Sequence, residues 1–163
     1  MMENGKYNSE VDTLRHQKRI LQIVNIATAE LLKKVAIHDN SKLYEPEKSI
    51  FDEWTPKLAN SSIGTDEYEN MKKQMKDALD HHYANNTHHP EHFENGIDGM
   101  DIFDLFEMVF DWVAASERHI DGDKFKSLEV NKKRFEISDQ LSNIIYNTYK
   151  VIDNDGKFKR TEI

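Results

Sequence analysis

The run Ala36-Ile37-His38-Asp39-Asn40-Ser41-Lys42 sets an imidazole beside a carboxylate, with an ammonium three residues after the carboxylate. His and Asp together offer a borderline nitrogen and a hard oxygen to a divalent metal. Lys42 adds a cation that repels a dication and attracts a phosphate. Most of the eight histidines are clustered: His81-His82 and His88-His89-Pro90-Glu91-His92 hold five of them. Metal sites collect neutral imidazoles and carboxylates from different elements, so these clusters are candidates to complete a shell begun at His38 and Asp39. The plain alternative is a helix C-terminal His, favourable with the helix dipole, followed by a turn Asp. The dipeptide alone does not separate the two. Taken together with Lys42, Asp111 and the His clusters, it favours a metal.

The elements that must position these residues read at helical period, with only three Pro and six Gly to interrupt them. The expected fold is all-α, one domain over residues 1–163 with about five or six helices, in which 1–8 and 153–163 are peripheral. The first helix is expected from Val11 to Ile37, with His16 near its start and His38 at its end. Leu14, Ile20, Leu21, Val24, Ala27, Leu31, Leu32 and Val35 would face the core, and Ser9 with Asp12 resembles a capping box. A short helix opens at Pro46, carries Ile50, Phe51 and Trp54, and is limited by Pro56. Another is expected from Asp66 to about Tyr83. Met71, Met75, Ala78, Leu79 and His82 share one of its faces, so His82 points inward and His81 lies on the flank. Asn85 to Gly99 lacks helical period and reads as a His-rich loop.

Asp101 is expected to cap a helix that runs to about His119. Asp111 sits there among Val109, Phe110, Trp112 and Val113. A carboxylate in such surroundings is costly unless it is paired or holds a metal. A final helix, about Ser138 to Ile152, turns Leu141, Ile144, Ile145 and Tyr149 inward.

Composition narrows the function. A net charge of -8 argues against duplex nucleic acid as a partner. It leaves room for a small phosphorylated substrate, because a bound dication dominates the field inside its own site. The chain has no Cys, no apolar run long enough to span a membrane and no signal-peptide pattern at Met1-Met2-Glu3, so a cytoplasmic location is expected. Asp153-Asn154-Asp155-Gly156 followed by Glu162 has part of the spacing of a calcium loop. The first ligand position would be Val151, and the segment reads as a polar turn.

His16, then His38-Asp39 with Lys42 after it, then Asp111 on a later helix, resembles the HD-domain superfamily of metal-dependent phosphohydrolases. Ser41 stands where that family usually has glycine. The resemblance implies that His16, His38, Asp39 and Asp111 ligate a metal, and that His82 with His88 or His89 recruits a second. It implies one or two divalent ions, with Mn, Fe, Zn, Co and Mg not distinguished, and a nucleotide or related small phosphoester as substrate. In that reading Asp39 and Lys42 are catalytic and Glu91 is a candidate proton carrier. Two other readings keep the site and change its use: a di-iron oxygenase, or a phage or host interaction protein whose metal is structural. The segment from His81 to Phe93 also resembles one in small phage and bacterial proteins of uncharacterised function. That likeness covers nearly the whole chain and implies no activity.

Overall fold

A computed structural model describes residues 2–3, 6–59, 65–118 and 122–154. The chain divides into two units, Met1–His38 and Asp39–Ile163. The first unit is a two-residue-per-strand antiparallel hairpin, β1 (Met2–Glu3) and β2 (Lys6–Tyr7), followed by the 27-residue helix α1 (Ser9–Val35). The second carries α2 (Glu47–Ala59), α3 (Asp66–Gln74), α4 (Lys76–Asn85), α5 (Ile102–Ser116), α6 (Lys124–Arg134) and α7 (Asp139–Asn154). Short 3₁₀ turns lie at Asn40–Leu43, Pro90–His92 and Gly96–Gly99. Among the described residues the fold is all-α, as expected, and no helix is long and apolar enough to cross a membrane.

The second unit is built around α5. Its start is fixed by a capping box: Asp101 accepts from the Phe103 and Asp104 backbone N–H groups, and Asp104 accepts from that of Asp101. Its apolar stripe then buries Met108, Val109, Trp112 and Val113 against Leu128 of α6, Ile137, and Ile145 and Tyr149 of α7. Tyr149 donates its hydroxyl to the Val109 carbonyl at 2.9 Å, which satisfies the one polar atom this ring brings into the core. On the other side of the unit α2 packs against α4, where Met75 and Ala78 are buried.

Several expectations are corrected. Seven α-helices form among the described residues where five or six were expected. One that was not expected, α6, has a largely polar sequence; the Asp123 side chain accepts from the Phe125 and Lys126 N–H groups as its N-cap. The helix expected over 66–83 is interrupted at Met75, whose N–H is shared between the Met71 and Lys72 carbonyls. Pro56 lies inside α2 rather than ending it. Asn8, not Ser9, caps α1 by accepting from the Glu10 N–H. None of the residues of α1 is buried, so the apolar face assigned to a core does not enter one. Ile144 is likewise exposed. His119 and most of the calcium-like segment lie outside the described residues.

Leu128 is the only buried residue of α6 and is 1% exposed. Leu128→Ala is expected to lower unfolding free energy by about 2–5 kcal/mol, the range for emptying a buried leucine site. Denaturant unfolding followed by circular dichroism checks this; a loss below about 0.5 kcal/mol would show that α6 does not close the core.

Candidate metal centre

Three local structures bring the site together within the second unit. The first is the turn at Asp39, which adopts a left-handed conformation at φ 57 and leads into the 3₁₀ turn Asn40–Leu43. Asp tolerates this region better than most residues, because its short side chain bonds locally. The second is α4, whose buried face continues from Met75 and Ala78 to His82 and Asn86. The third is the segment after α4, in which His88 is buried and His89 half-buried.

That last segment is tied down at several points. The amide nitrogen of Asn86 donates to the His82 carbonyl at 2.8 Å and to Ser41 Oγ at 2.7 Å. Thr87 donates its hydroxyl to the buried Asp104 of α5. His92 donates Nδ1–H to the Tyr83 carbonyl at 2.8 Å, which returns the Pro90 turn to α4.

Donor atoms of Asp39, His82, His88 and His89 all lie within 4.8 Å of one another. Asp39 Oδ1 is 3.3 Å from His82 Nε2 and 3.5 Å from His88 Nε2. The His82 and His89 Nε2 atoms are 2.8 Å apart. Ligands at about 2.1 Å from one ion stand roughly 3.4 Å apart in a tetrahedron and roughly 3.0 Å apart on an octahedral edge. These three separations scatter around both values. Three imidazoles and one carboxylate form the nitrogen and oxygen set that suits zinc, iron, manganese or cobalt.

The imidazoles are oriented from behind. His82 donates Nδ1–H to Glu47 Oε2 at 2.9 Å, and His88 Nδ1 lies 3.3 Å from Glu107 Oε1. Both carboxylates are buried. A carboxylate only accepts, so it holds the proton on Nδ1 and leaves Nε2 of each ring facing Asp39. Glu47 also accepts from Ser41 Oγ at 3.0 Å and from His81 Nδ1 at 2.7 Å. Formally, Asp39, Glu47 and Glu107 bring negative charge against the ammonium of Lys42, and Asp111 adds its own at His89, a balance that a dication would offset. Burial, followed by the neighbouring His88 and His82, pushes His89 down to about 3, against the pull of Asp111 and Asp39. His89 is therefore neutral at pH 7, the form a metal requires.

Of the residues singled out in the sequence, Asp39, His82, His88 and His89 come together. Lys42 donates to the second oxygen of Asp39, Oδ2, at 2.6 Å. Asp111, half-buried on α5, brings a carboxylate oxygen within 4.8 Å of a ring nitrogen of His88, as a metal ligand would, and acts on His89 through its charge. Glu91 lies outside the cluster and accepts from Arg134 at 2.7 Å. His16 is exposed on α1 and His38 follows that helix, its N–H on the Val35 carbonyl; both belong to the first unit. Sequence reasoning missed Glu47 and Glu107. Glu107 carried the signal used for Asp111, an acid in an apolar stretch. Glu47 looked like an ordinary first-turn acid and carried none.

Residues 5–151 match the family described as "Family of unknown function (DUF5662)", and the chain belongs to it. No curated protein and no solved structure matches the chain.

Two outcomes are expected. Glu47→Gln and Glu107→Gln should each weaken metal affinity by about 10–100-fold while the helical signal is kept, as for other groups that orient ligands; competition with a chelating dye measures it, and unchanged affinity in both would remove their assigned role. The depressed His89 also predicts a pH dependence in metal-free protein. The unfolded chain takes up this proton near 6.5 and the folded chain only near 3, so stability is present above 6.5 and falls as pH drops through that window. His89→Gln should flatten the fall in denaturant midpoint between pH 6.5 and 4. Parallel curves for the two proteins would contradict it.

Proposed function

We propose that this chain is a metal-dependent phosphohydrolase acting on a nucleotide or a related small phosphoester, with Asp39, His82, His88 and His89 as protein ligands. The observation that carries this reading is the convergence of those four donors, backed by Glu47 and Glu107 on the far side of two of the rings. A bound dication would supply Lewis acidity and a coordinated water that ionises near neutral pH. Four protein donors close a tetrahedral zinc site but leave two positions of a six-coordinate ion for water and substrate. Hydrolysis at this site therefore goes with an ion of the manganese or ferrous type.

The chain's own groups have separable roles. Asp39 divides its carboxylate between the ligand cluster and Lys42. Lys42 is one-third exposed, so its ammonium sits where a substrate phosphate can reach it without leaving water entirely. Glu47 and Glu107 hold the proton on the outer nitrogen of His82 and His88 and keep those rings in place.

Elemental analysis of the purified protein, followed by a phosphoester panel in the presence of the metal found, tests the reading. Asp39→Ala should lose both metal and activity. Lys42→Ala should keep its metal and lose about 10²–10³-fold in kcat/KM, the scale of one transition-state contact. Stoichiometric metal with no turnover of any phosphoester would instead leave a structural site.

A further inference from the structure

Three of the four candidate ligands are held ready for an ion and the fourth is not. The Asp39 carboxylate is fixed through Oδ2 by Lys42 at 2.6 Å. His82 and His88 each set Nδ1 against a buried carboxylate, Glu47 at 2.9 Å and Glu107 at 3.3 Å, which leaves the Nε2 lone pair of both rings for a metal. His89 lacks this support. Among the described residues no group accepts from its Nδ1. Its half-buried ring is located by tilted contacts instead, with His88 at 4.2 Å and Tyr83 at 5.0 Å between centroids.

The hydrogen on His89 also sits on the other nitrogen. Its Nε2 lies 2.8 Å from Nε2 of His82, a hydrogen-bond distance. Glu47 keeps the His82 hydrogen on Nδ1, so His82 Nε2 accepts and His89 Nε2 donates. A metal needs that donating nitrogen bare. His82 and His88 can bind with no change of tautomer. His89 must first carry its hydrogen on Nδ1, where no protein acceptor meets it. Groups that orient a ligand in this way are worth about 10–100-fold in metal affinity, so the bond from His89 is the weakest of the three imidazole bonds.

We infer that His89 is the exchangeable ligand of this site: a substrate phosphate oxygen takes its position on the ion, and the released ring donates Nε2–H to that phosphate. This rests on the four-donor site and the phosphoester chemistry proposed above. The exchange balances, because the ring regains a proton at Nε2 from water and returns the one on Nδ1, and so stays neutral. Lys42, on the second oxygen of Asp39, attracts the same anion.

Three measurements test this without reading turnover. In metal-free protein at pH 7, nitrogen–proton correlation NMR of labelled histidines should find hydrogen on Nδ1 of His82 and on Nε2 of His89. Hydrogen on Nδ1 of His89 overturns the inference. In protein loaded with Mn(II), X-ray absorption should count three imidazoles, falling to two in saturating inorganic phosphate. In competition with a chelating dye, His89→Ala should hold Mn(II) at least about 10-fold more tightly than His82→Ala, with circular dichroism checking that both fold. Three imidazoles retained at saturating phosphate, no phosphate binding to the loaded protein, or equal loss of affinity in the two folded variants each overturn the exchange while the ligand set stands. Fewer than three imidazoles before phosphate is added overturn the ligand set and the inference with it. Exchange of His89 for phosphate in a protein that hydrolyses no phosphoester supports the inference and overturns only the phosphohydrolase reading.

Discussion

Glu47 is wholly removed from water and accepts hydrogen bonds from Ser41, His81 and His82. A buried carboxylate without such donors is costly, and that cost enforces the arrangement around it. Ser41 belongs to the turn that follows Asp39, Glu47 opens α2, and the two histidines lie on α4. One acidic side chain thus fastens three elements and fixes which nitrogen of His82 carries the proton. The Asn86 amide, donating to Ser41, extends the same network to the end of α4. Removing the carboxylate while keeping its donors would leave buried polar groups to find new partners.

The other half of the site hangs on α5. Asp104 does two things there: it completes the capping box and accepts from Thr87. Glu107, one turn on, meets His88. The helix that supplies Met108, Val109 and Trp112 to the core therefore supplies the groups that place the His88 segment. Packing and chemistry share a rigid element, and ligand position follows from core stability. The low proton affinity of His89 belongs to the same enclosure, since burial is its largest cause.

Much of this was legible in the sequence. The phase of Met75, Ala78 and His82 placed that imidazole inward, and Asp101 marked a helix start that the structure keeps. The clustering of His88 and His89 pointed to the right segment. Its conformation did not follow, because the contacts that set it come from Thr87 with Asp104 and His92 with Tyr83, and no local pattern encodes them. Helix α6 escaped notice because it buries a single residue. In α1 the periodicity correctly marked an apolar face; a period tells which side is apolar and not what lies against it. Glu47 was unreadable for a similar reason, as a first-turn acid gains its role mainly from His81 and His82, far along the chain.

The central claim is that Asp39, His82, His88 and His89 hold one ion. X-ray absorption at the edge of the metal found in the protein tests this most directly. The account predicts a shell of nitrogen and oxygen only, with the outer-ring scattering of three imidazoles, dropping to two in His88→Ala. A metal with no imidazole scattering, or a shell unchanged by His88→Ala, would contradict it.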